Sequence, residues 1–104
     1  MAVLIRANGE VSMVHPANGV AFDLPELHAF VGGFIEILRA TVVAAPDGLD
    51  WMVINEDGKG LGLPTNHAAT MAFWVAGGDP ADRIVGDALV CSLIELEGND
   101  REDS

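Results

Sequence analysis

The sequence predicts a single small α+β domain, a mostly antiparallel sheet with two helices on one face. Three observations lead there. Two apolar segments open on helix caps, two Asx-Gly dipeptides mark hairpin turns, and the remaining apolar stretches are rich in β-branched residues. The 104 residues suit one domain, and half of them are apolar, enough for a core without disulfide or metal. Residues 1–96 are assigned to that domain and residues 97–104 to an acidic, disordered tail.

Taken in order, residues 2–7 read as a short buried strand. Asn8-Gly9 is a two-residue hairpin signal because both residues tolerate positive φ, and residues 10–14 are the return strand. His15-Pro16-Ala17-Asn18-Gly19 is turn chemistry. Asp23 and Glu26 form a capping box, Pro25 sits in the first turn, and Leu24, Leu27, Phe30, Val31 and Phe34 make a helical stripe. Gly32-Gly33 ends this helix, placed at 24–32. Residues 34–44 read as a strand, Pro46-Asp47-Gly48 as a turn, and residues 51–55 as another strand. Asp57-Gly58 marks a second hairpin whose return strand is 59–63. Thr65 or Asn66 caps a helix over 67–76, closed by Gly77-Gly78 and apolar nearly all round. Residues 84–96 fit both a helical period and a strand; β-branched content and a bend at Gly86-Asp87 favour the strand.

Charge narrows the function classes. Sixteen acids against five bases leave a formal net charge of −11. Residues 95–104 contribute five acids and one base, about −4, so the body holds the remaining eleven acids and four bases, about −7. Direct nucleic-acid binding is disfavoured, since neutralising phosphates needs clustered Lys and Arg. The lone Cys91, in the run Leu89-Val90-Cys91-Ser92-Leu93-Ile94, reads as a small buried hydrophobe. No leader pattern and no apolar run of bilayer length occurs, so the expectation is a cytoplasmic protein without membrane contact, in the host cytoplasm if phage-encoded.

Several familiar motifs fail. Lys59 follows Gly58, but the first glycine of a P-loop would have to stand at Val53. Gly60 and Gly62 lack the third glycine of a dinucleotide fingerprint, which would be Thr65. A calcium loop fails at Val53 and Pro64. His15, His28 and His67 share no metal spacing, and no serine sits beside a base. The chain is therefore expected not to be an enzyme and to need no cofactor or metal.

What remains is a polar constellation: Asn55, Glu56, Lys59, Thr65, Asn66 and His67. Read blandly, these are turn and cap residues. Read functionally, a Lys-bearing turn beside a helix N-terminus offers a small polar ligand site.

Three segments in the same order, Leu27-His28-Ala29-Phe30-Val31-Gly32-Gly33-Phe34-Ile35-Glu36, Asn55-Glu56-Asp57-Gly58-Lys59 with Leu63-Pro64-Thr65-Asn66, and Ile84-Val85-Gly86-Asp87, resemble a domain-of-unknown-function family of small proteins found in bacteria, plasmids and bacteriophages. The resemblance implies one α+β domain and a phage or mobile-element origin, and it lends no reaction. The expected function is thus a non-catalytic binding protein, a homo-oligomer associating through the second helix or the strand near Trp51, that sequesters a small polar or nucleotide-like ligand in a counter-defence role. The alternative is an acidic inhibitor that binds proteins by mimicking DNA.

Overall fold

A computed structural model describes residues 1–42 and 48–97. Its elements run β1 (Ala2–Ile5), β2 (Val11–Val14), α1 (Leu24–Val31), β3 (Ile35–Arg39), β4 (Trp51–Asn55), α2 (His67–Val75), β5 (Ala88–Cys91) and α3 (Leu93–Glu97). The five strands form one antiparallel sheet in the order β2-β1-β5-β4-β3, which makes the domain α+β.

Burial explains why the central strands read as unbroken apolar runs. β1 and β5 are buried at every position, and β4 at all but Trp51. Side chains alternate across a strand, so this pattern requires cover on both faces. Val3, Ile5, Met52, Ile54, Ala88 and Val90 pack on one face with Ala69 and Ala72 of α2. Ala2, Leu4, Val53, Leu89 and Cys91 pack on the other with Leu27 and Val31 of α1, and Leu96 of α3 joins them. The expected placement of the helices on one face is therefore corrected: they divide between the two. Edge strand β2 stays largely exposed, and edge strand β3 is part-exposed.

The caps form as the residues dictate. Asp23 accepts from the Glu26 amide at 2.9 Å while Glu26 accepts from the Asp23 amide at 3.0 Å, and α1 stops at Gly32 in the left-handed region. Asn66 is the N-cap of α2.

Several boundaries differ from expectation, most by one or two residues; the first strand, expected over 2–7, ends at Ile5. The strand expected over 34–44 ends at Arg39, and residues 43–47, with most of the Pro46-Asp47-Gly48 turn, lie outside the described residues. No strand forms over 59–63. Leu61 donates to Asp57, Gly62 to Lys59 and Leu63 to Gly58, so the backbone satisfies itself in successive turns and leaves nothing to build a ladder.

The segment 84–96 is both of its expected alternatives in sequence. Val85 makes an isolated bridge to Thr65, and Gly86 turns the chain with φ of 76°. A side-chain carbon at Gly86 would also sit 2.8 Å from Leu63 Cδ1. β5 then gives way to α3 through a second capping box, in which Ser92 Oγ accepts from the Glu95 amide at 3.2 Å and Glu95 Oε1 accepts from the Ser92 amide at 2.9 Å. The remainder of the expected tail, residues 98–104, lies outside the described residues.

Candidate functional site

The six polar residues singled out in the sequence divide into two places. Asn66 is sealed in the core at 1 % exposure. Its Nδ2 donates to Ile5 O at 2.8 Å and to Gly86 O at 2.9 Å, and its Oδ1 accepts from the Ala69 amide at 3.1 Å. Every hydrogen-bonding group of the amide is thereby used to tie α2 to β1 and to the Gly86 bend. Thr70 extends this network by donating to Asn66 O at 2.8 Å and accepting from the Ile84 amide at 2.9 Å. Thr65 is half-buried in its bridge to Val85, and His67 is exposed on the first turn of α2.

The other three residues line a common cleft of about 200 Å³. Asn55 closes β4 and is buried; its Nδ2 donates to Val31 O at 3.1 Å and its Oδ1 accepts from the Asp57 amide at 2.8 Å. That second bond is an Asx-turn, and it throws Glu56 and Lys59 outward to the mouth. Gly58 lies buried behind them, where a Cβ would come within 2.9 Å of Val85 Cγ2. The opposite wall is Asp82 and Arg83, carried by the segment that returns from α2. Lys59 Nζ forms an ion pair with Asp82 Oδ1 across the mouth. The Lys59 ammonium, followed by the Arg83 amide, holds the Asp82 carboxyl below its ordinary value of 3.8. Leu38, Ile54, Phe73 and Ile84 provide an apolar floor.

The cleft's charges comprise the carboxylates of Glu36, Glu56, Asp57 and Asp82 and the cations Lys59 and Arg83. A lining with more acceptors than cations suits a ligand rich in N–H and O–H donors, with an anionic group admitted only beside Lys59 and Arg83. Sequence reasoning missed Glu36, Phe73, Asp82 and Arg83. Asp82 lies 23 residues from Lys59, and no local signal joins them.

Larger hollows exist but converge fewer polar groups. One of about 380 Å³ lies between the end of β1 and α1, and its two charges, Arg6 and Asp87, pair with each other at 3.2 Å. Another of about 440 Å³, beside Leu27 and Ile35, is lined by apolar side chains apart from Asp23, which is already committed to its cap. Among the described residues no cluster of three or more metal-ligating side chains occurs. Nor is any helix among them long and apolar enough to cross a membrane.

Compared with known proteins, residues 1–103 match a family model described as a domain of unknown function, DUF3846. No curated protein and no solved structure matches the chain.

Proposed function

Because the chain belongs to the DUF3846 family, whose description assigns no activity, we propose from the cleft itself that this is a non-catalytic binding protein for a small polar, nucleotide-like ligand, working as a homo-oligomer. The observation that carries the reading is the convergence of the 55–60 turn and the 82–85 segment on one apolar-floored cleft with charges of both signs at its mouth. The carboxylates would read the amino and hydroxyl edges of such a ligand, Phe73 and Ile54 would take a ring, and Lys59 with Arg83 would take an anionic group as Lys59 exchanges Asp82 for it. Among the described residues, no serine, cysteine or histidine lines the cleft, and its Lys59 is already paired with Asp82, which favours binding as the reading. Sequestration of a signalling nucleotide by a phage or mobile-element protein in a host cytoplasm belongs to the same proposal, by analogy of size and site.

Native mass spectrometry of the protein purified from cells tests the reading. A co-purifying small molecule that is lost from Lys59→Glu while the fold is retained supports it. A chain that carries no small molecule and shows no thermal shift across a panel of ribonucleoside mono- and diphosphates contradicts it. The acidic inhibitor is the second reading, favoured by the net charge of −11. It requires a basic protein partner whose binding falls steeply with salt.

A further inference from the structure

We propose that β2 is the seam of a two-fold homodimer, in which it pairs antiparallel with β2 of a second copy about Ser12 and continues the five-stranded sheet into ten. This names the interface for the homo-oligomer of the preceding section and rests on that part of the reading. Three observations point to it.

The first is the contrast between the sheet's two free edges. β3 carries Glu36 and Arg39, charges of the kind that keep edge strands from pairing. β2 is Val11-Ser12-Met13-Val14, with no charge and no proline, and Val11 and Met13 are 61 % and 64 % exposed. Nothing in β2 blunts the edge.

The second is charge segregation. Residues 11–22 and 60–78 contain none of the chain's 16 acids and 5 bases. These two neutral segments meet in the fold. Val11 shares an apolar groove of about 300 Å³ with Val3, Ile5, Met71 and Val75, and none of the described residues lining it is ionisable. Two chains of net charge −11 repel wherever carboxylates face each other, so they approach at least cost along this face.

The third is register. Arg6 donates its amide to Glu10 O at 2.8 Å, which makes Arg6 and Glu10 a hydrogen-bonded pair of the β1–β2 ladder. Alternation along the ladder then points the backbone groups of Ser12 and Val14 toward β1 and those of Val11 and Met13 outward. In an antiparallel pair, residues directly opposite face the same side, so a two-fold axis must set one residue against itself. Centring on Ser12 sets Val11 against Met13 of the second copy, twice. All four outward N–H and C=O pairs are used, and apolar side chains meet on the α2 face. Centring on Val11 or Met13 slides the strands by two residues and pairs turn residues instead. About Ser12, Glu10 lies opposite Val14, so no like charges are placed face to face.

Light scattering across about 1–100 µM, a range that brackets a micromolar dimer, reads the oligomer. Two variants then read the seam. Ser12→Cys places two thiols at a non-hydrogen-bonded pair, whose Cα atoms lie about 4.5 Å apart, within disulfide reach. Oxidation is expected to convert most of it to a covalent dimer, while Val11→Cys crosslinks several-fold less. Val11→Pro removes only an outward-facing amide, a loss that an edge strand tolerates, and is expected to halve the mass with the melting temperature largely kept. A wild-type chain that is monomeric throughout overturns both this seam and the oligomeric part of the proposed function. A wild-type oligomer whose Ser12→Cys and Val11→Cys crosslink equally overturns the seam alone. Val11→Lys, which puts a charge on the same edge, repeats the dissociation test should the proline variant fold poorly.

Discussion

The two asparagines of the polar constellation have the same side chain and opposite surroundings. Asn66 spends both ends of its amide inside the core, on Ile5, Gly86 and Ala69. Asn55, at the end of β4, spends one end on the buried Val31 carbonyl and the other on the turn that carries Glu56 and Lys59 into solvent. The first closes a junction between elements. The second closes the core and opens a cleft in the same stroke. A polar residue near a helix cap is thus no guide to a site until its hydrogen bonds are assigned, since a fully satisfied amide has nothing left for a ligand.

Removing each side chain separates the roles. Asn66→Ala is expected to cost about 2–4 kcal/mol, above a simple cap, because it removes three buried hydrogen bonds at once, to Ile5 O, Gly86 O and the Ala69 amide. Chemical denaturation measures it, and a loss below about 1 kcal/mol would mean the junction repacks or admits water. Asn55→Ala should cost less, about 1–3 kcal/mol, since the Asp57 amide can turn to solvent while Val31 O cannot. Its second effect distinguishes it from Asn66: the 56–60 turn should lose its fixed conformation, seen as faster amide exchange there than in the rest of the sheet.

Titration carries the same contrast between sealed core and open cleft. Burial, with the nearby Glu95 carboxylate adding to it, pushes the Cys91 thiol from 9.0 up to about 12. A group whose folded value is raised lends stability that is whole below the unfolded value and is lost as pH rises toward the folded one. The melting temperature should therefore fall as pH climbs from about 9 toward 12, and Cys91→Ala should flatten that fall. Asp82 runs the other way, held down by Lys59. Its contribution is whole above 3.8 and is lost as pH falls below that value. Both partners are about half exposed, so solvent screening leaves the pair worth little. Lys59→Ala should change stability by under about 1 kcal/mol and shallow the acid limb only slightly.

How much of this could be read from the chain depended on whether the deciding contacts were local. The Asp23–Glu26 box and the Asn66 cap each involve residues within a few positions of one another, and each forms. The hairpin at Asn8-Gly9 forms too, but with residues 7–9 as a three-residue loop in which Gly9 alone takes positive φ, not the two-residue turn expected. The Ser92–Glu95 box was equally local, but it sits inside an apolar run that ends β5, and the strand signal masked it. Asp57-Gly58 carries the dipeptide of a hairpin, yet Gly62 in the left-handed region, with Gly58 and Gly60 where a Cβ would clash, lets the backbone bond to itself first. The expected sheet is covered on one face, although the unbroken apolar runs of β1 and β5 call for cover on both, as α1 and α2 provide. Half of the cleft was not legible at all: Asp82 and Arg83 reach Lys59 only because α2 carries the chain across the sheet and back.

The central claim is that the cleft, and not the cap, meets the ligand. A two-dimensional amide NMR titration with adenosine monophosphate as the probe tests it most directly. The account predicts shifts concentrated at residues 56–60 and 82–85, abolished in Lys59→Glu, with residues 66–70 unmoved. Saturable shifts centred on residues 66–70, or on the hollow beside Arg6 and Asp87, would contradict it.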